Sequence, residues 1–161
     1  MEKAGRKRIL LKLSGELFGK DSLEPDKVDS FAGDLKSAMN RQVEMALVLG
    51  GGNILRGGTY SGTGYDRADC DYMGMLATVI NAQALKVALK KLEVATAVMT
   101  AFPVQGVGEE FNAARAVEYL TRGEILILAG GTGNPYFTTD TAAALRAAQI
   151  GAEIIYKRSE E

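Results

Sequence analysis

Three glycine-bearing segments hold most of the residues in this sequence that could do chemistry: Ser14-Gly15, Gly50-Gly51-Gly52, and Gly130-Gly131-Thr132-Gly133-Asn134-Pro135. Each follows a short apolar run. Glycine at a strand-to-helix turn lets backbone N–H groups approach an anion and aims a helix N-terminus at it. Glycine also serves plain tight turns, so one such segment alone is ambiguous; three in one short chain point to phosphate. Lys12 lies at the end of the first apolar run, two residues before Ser14. There its ammonium can sit over phosphate oxygens while the Ser14 and Gly15 backbone donates hydrogen bonds; a solvated strand-end lysine is the plainer alternative. Arg56 follows the second glycine turn by four residues and can reach the same edge.

The chain has no histidine. That removes Ser-His-Asp and Cys-His nucleophiles and every histidine-bearing metal site. Phosphoryl transfer fits the groups that are left, because it demands positioning and charge neutralisation rather than a covalent intermediate. Two familiar phosphate signatures fail. A Walker A loop reads G-x-x-x-x-G-K-[ST], whereas Gly15 to Asp21 is GELFGKD, one residue short and with Asp21 in place of the hydroxyl. A dinucleotide fingerprint needs G-x-G-x-x-G after the first strand; here that strand leads into Ser14-Gly15-Glu16-Leu17.

The elements that must position these groups follow from periodicity. Strands are expected at Arg8–Leu13, Val43–Leu49, Val94–Met99, Glu124–Ala129 and Ala152–Tyr156. A helix opens at Pro25-Asp26, with Val28, Phe31, Leu35 and Met39 on one face. A long helix from Asp69 to Lys91 carries a stripe of Met73, Leu76, Ile80, Ala84 and Val87, with an acidic start and a basic end as its dipole favours. Helices at Phe111–Arg122 and Thr139–Ile150 stop at Gly123 and Gly151. The alternation predicts an α/β fold, a mainly parallel sheet sandwiched between helices, as one domain over residues 1–161. All three glycine turns then fall on the carboxyl edge of the sheet, where such folds bind ligands. The stretch from Gly57 to Gly64 reads as a lid.

The chain has 161 residues, 47% of them hydrophobic, with 19 basic and 20 acidic side chains. A net charge of −1 offers no basic excess for nucleic acid. The apolar run after the basic N-terminus stops at Lys12, too short for a signal peptide or a membrane span. Cys70 is the single cysteine, so no internal disulfide forms, and it reads as a small buried apolar residue. A cytoplasmic protein with no membrane or nucleic-acid partner is expected.

The segments KLSGE (Lys12–Glu16), GGGNILRG (Gly50–Gly57), DYMGMLATVINAQAL (Asp71–Leu85) and GTGNPYFTTDTAAALRA (Gly131–Ala147) closely resemble the bacterial UMP kinases of the amino-acid-kinase superfamily. The first two occur loosely across the superfamily; the last two are far more specific. The resemblance runs from about Arg8 to Lys157. It implies transfer of phosphate from Mg-ATP to UMP in pyrimidine nucleotide biosynthesis, by a cytoplasmic homohexamer. It places Lys12, Leu13, Ser14 and Gly15 on the ATP phosphates, with Gly52 and Arg56 beside them. Gly51 would approach UMP, Asp71 would recognise its sugar, and Thr132, Gly133, Asn134, Pro135, Tyr136, Phe137, Thr138 and Thr139 would wrap the uridylate. Asp140 resembles a carboxylate that orients the lysines or the metal, which makes Lys12 and Asp140 the catalytic pair. Mg²⁺ is expected with ATP, with no dedicated metal ligand assigned. The long helix after Asp71 matches the family's subunit-packing helix.

The family's chain continues past the last strand into a second lobe that carries much of the adenine site and a further catalytic carboxylate. Here the match ends at Tyr156-Lys157, followed by Arg158-Ser159-Glu160-Glu161. The expectation is therefore an N-terminal lobe with its acceptor residues nearly complete. Two other readings stand beside UMP kinase. One is a non-catalytic UMP-binding or oligomerisation module. The other is a superfamily kinase for a carboxylate or carbamate, against which the GTGNPYFTTD stretch argues. The loop Glu16–Ser22 is short, and no effector is carried over from the family.

Overall fold

Segments such as Ile125–Ala129 are apolar without alternation, which suits a strand covered by helices on both faces. The computed structural model describes residues 6–39, 43–55, 60 and 63–158. Six strands, β1 (Lys7–Leu13), β2 (Val43–Leu49), β3 (Thr96–Thr100), β4 (Glu109–Glu110), β5 (Ile125–Ala129) and β6 (Ile154–Arg158), form one sheet in the order β4-β3-β5-β2-β1-β6. Every pairing is parallel. Successive side chains point to opposite faces. Ile9, Leu13, Met45, Leu47, Ile125 and Ile127 pack under α1 (Pro25–Met39) and α2 (Arg67–Lys91). Leu10, Ala46, Val48, Leu126 and Leu128 pack under α3 (Ala113–Thr121) and α4 (Thr139–Ile150). The expected α/β sandwich is the fold observed.

Local chemistry sets the ends. α2 begins two residues before Asp69, because the Asp66 carboxylate caps it by accepting from the Ala68 and Asp69 N–H groups. Asp71 is therefore not the cap. α4 begins after Thr138, whose hydroxyl accepts from the Thr141 N–H at 3.1 Å, and closes at Gly151 with φ +67°. Phe111 is not in α3; its N–H donates to the Thr100 carbonyl, and Asn112 caps the helix. Two elements had no sequence expectation. One is the 3₁₀ turn Gly15–Phe18. The other is β4, which is two exposed glutamates long and too short to show a period. Tyr119 Oη donates to the Glu109 carboxylate and tethers β4 to α3.

The stripe assigned to α2 is its outer face. Leu76 and Ile80 are 48% and 53% exposed, while Met75, Val79, Ala82, Leu85 and Leu89 are buried against the sheet. α2 is apolar on both faces, so periodicity alone could not choose between them. Among the described residues it is the one helix long and apolar enough to cross a membrane, yet half of that stretch is buried in this fold.

Candidate functional site

The first two glycine turns meet at the carboxyl ends of β1 and β2. The Gly50 N–H donates to the Leu13 carbonyl at 2.8 Å. A Cβ at Gly15 would fall 2.5 Å from Asn53 Oδ1 and 2.8 Å from the Gly52 nitrogen. A Cβ at Gly51 would fall 2.8 Å from the Ala77 Cβ and 2.9 Å from the Gly74 carbonyl oxygen on α2. Only hydrogen fits at either position, so these glycines are set by close approach as much as by any ligand.

α2 is the post to which the second and third turns are tied. Asn81 Nδ2 donates to the Gly50 carbonyl and to Asn53 Oδ1, each at 2.8 Å, and Asn53 Nδ2 returns a bond to Asn81 Oδ1 at 3.2 Å. Both asparagines are buried. One turn earlier, Thr78 Oγ1 accepts from the Gly130 N–H at 2.8 Å and donates to the Met75 carbonyl at 2.7 Å. Sequence reading missed Asn53, Thr78 and Asn81. The available signal was two polar residues three apart inside an apolar helix, which burial forces to find partners.

Between α2 and the third turn lies a cavity of about 320 Å³. Gly51 and Gly52 form its floor, and Asp71, Gly74, Met75 and Cys70 come from α2. Thr132, Asn134, Phe137, Thr138 and Thr139 close the other side. Seven of the ten residues assigned to the uridylate thus line one cavity. Gly133, Pro135 and Tyr136 do not. The Asp71 carboxylate accepts from the Tyr136 N–H at 2.7 Å, joining α2 to the third turn. Arg56 and most of the Gly57–Gly64 stretch lie outside the described residues.

The charged groups sit one residue further along. Thr139 lines the cavity, and its neighbour Asp140 pairs with Lys12 Nζ at 2.9 Å and Lys157 Nζ at 2.8 Å. Lys12 and Lys157 are register partners on β1 and β6, which brings both ammonium groups to one carboxylate. Lys157, then Lys12, hold the Asp140 carboxyl below the usual carboxylate range. Lys157 had no site assignment from the sequence, because its nearness to Lys12 depends on strand register. The Ser14 N–H donates to the Arg158 carbonyl at 3.2 Å, so β6 occupies a donor that the sequence had offered to phosphate.

Open parallel sheets bind ligands beyond their carboxyl ends. The molecule is an α/β protein of that class, with a polar pocket at the edge and a lysine-flanked carboxylate beside it. The chain belongs to the amino acid kinase family, whose model matches residues 7–159. It is 48% identical over 157 residues to a uridylate kinase of Legionella pneumophila strain Corby, covering 96% of this chain and 64% of that protein. It superposes on a UMP kinase from Ureaplasma parvum with a TM-score of 0.90 and 34% identity, over 96% of this chain and 67% of the other. A UMP kinase from Bacillus anthracis gives a TM-score of 0.90 and 33% identity, over 97% and 66%. The chain thus spans 64% of the length of the curated relatives it matches.

Proposed function

We propose that this chain is the acceptor-binding lobe of a UMP kinase, holding UMP for phosphoryl transfer from Mg-ATP to give UDP and ADP. The observation that carries the reading is the adjacency of Thr139 in the cavity wall and Asp140 in the lysine cluster. A monophosphate in the cavity would present its phosphate toward Lys12. In such a reaction an oxygen of that phosphate attacks the γ-phosphorus and ADP leaves. The protein contributes positioning and charge neutralisation, and no protein nucleophile is required. Lys12 and Lys157 would offset the developing charge, and Asp140 would keep both ammonium groups in place. Leu13 to Gly15, Gly52 and Arg56 would complete the triphosphate side.

Magnesium would arrive on the triphosphate. Among the described residues no three carboxylate or thiol groups cluster, and the two Asp140 oxygens each face a lysine. This fits an ion held mostly by phosphate oxygens and water. A cytosolic setting follows from the same reading, since both nucleotides are found there.

The test is UDP formation by the purified chain from UMP and Mg-ATP, paired with a UMP titration. UDP formation supports the kinase reading. UMP binding without turnover supports the second reading, a UMP-binding module. Neither binding nor turnover in a folded sample would overturn both.

A homo-oligomer completes the proposal. Leu76, Ile80 and Val87 border an apolar groove of about 810 Å³ between α2, Pro25 and Val104. Gln83 lines the same groove, and its Oε1 is buried with no partner among the described residues. Ile80→Asp is expected to shift the mass seen by light scattering to that of a monomer without loss of fold. A monomeric unaltered chain would rule out this assembly.

A further inference from the structure

We propose that Arg67 is a positioning residue for the monophosphate cavity: it holds the Tyr136 turn in the conformation that places Phe137 in the cavity wall and leaves Tyr136 outside. The inference rests on reading the cavity as the UMP site. Tyr136 has φ +70°, in the left-handed region that favours glycine. A residue with a side chain stays there only when its surroundings hold it. Three contacts do so. The Tyr136 N–H donates to Asp71 Oδ2 at 2.7 Å. The Arg67 guanidinium carbon lies 5.2 Å from the centroid of the Tyr136 ring, and Arg67 Nε lies 3.7 Å from the same Asp71 Oδ2. Arg67 therefore touches both ends of the hydrogen bond that fastens Tyr136 to α2.

The i,i+4 spacing to Asp71 suits a cation at this position, but the helix end does not. Arg67 is the first residue of α2, where a cation opposes the helix dipole, and its side chain is 71% exposed. It does not line the cavity, so it acts through Asp71 and Tyr136. A flat guanidinium stacks on an aromatic ring in a way that an ammonium cannot reproduce.

The experiment is calorimetric titration of UMP into the full chain and four variants. Arg67→Ala is expected to weaken affinity about fivefold, the scale of an exposed cation–π contact and its coupling. Arg67→Lys keeps the charge and loses the stack, and falls between. Tyr136→Gly accepts the left-handed φ without strain. In that background Arg67→Ala should change affinity by less than about twofold. Melting temperatures of the Arg67 variants stay within about 2 °C of the parent, as for an exposed side chain. Unchanged affinity in Arg67→Ala, or an equal loss in the glycine background, overturns the positioning role and leaves the cavity assignment standing. No UMP binding by the unaltered chain overturns the cavity assignment and the role with it.

Discussion

Asn81→Ala lowers the stability of the chain by about 3 kcal/mol, the largest effect expected of any single truncation near the site. Asn81 and Asn53 are 0% and 1% exposed and satisfy each other. Removing the Asn81 amide orphans the Gly50 carbonyl and both polar ends of Asn53. Each buried group left unpaired costs about 1–3 kcal/mol. The lost packing of a small side chain is minor beside this. Urea unfolding measures the effect. The double variant Asn53→Ala/Asn81→Ala should cost less than the sum of the two singles, because the second truncation removes a group already orphaned. A loss under about 0.5 kcal/mol for Asn81→Ala would mean that water replaces the amide and the brace is dispensable. UMP affinity should fall with stability, since the brace holds Gly51 against α2.

Asp71→Ala weakens UMP binding by about a hundredfold, or roughly 3 kcal/mol, the scale of one to two charge-assisted hydrogen bonds. Two losses combine. Under the proposed function the carboxylate contacts the sugar. The same carboxylate accepts the Tyr136 N–H, and without it the left-handed backbone at Tyr136 loses its hydrogen bond to α2. Because Asp71 is not the α2 cap, the helix itself should survive the change. A melting temperature close to the parent's, with the affinity gone, is the expected pair of results. Unchanged affinity would remove Asp71 from the site.

Five of the six strands were legible as apolar runs of a mainly parallel sheet; β2 and β5 fall within a residue of expectation. α2 was legible in extent but not in orientation, since Met75 and Leu76 are both apolar and only the fold decides which is buried. The cavity wall was legible mostly through resemblance. Nothing local marks Thr139 as lining and Tyr136 as turned away; that depends on one φ value. The partner of Lys157 and the partners within the asparagine brace were hidden for a shared reason, although Thr78 and Asn81 inside an apolar helix signalled that partners were needed. Each acts across a long sequence separation, through strand register or helix placement, and composition carries no trace of either.

The strand order also sets a timetable for assembly. β1 is flanked by β2 and by β6, so among the described strands the first synthesised is closed on one side by the last. Such non-local parallel pairings form slowly, because chain closure must precede the contacts that reward it. On a ribosome, Lys12 would emerge on the order of ten seconds before Lys157. Throughout that interval the Ser14 N–H lacks the Arg158 carbonyl, and Asp140, which emerges only 17 residues ahead of Lys157, waits for its second lysine at the end of it. The nascent chain can form β2, β3 and β5 with their helices while β1 keeps an open edge. The β1–β6 edge is thus the last part of the described sheet to form.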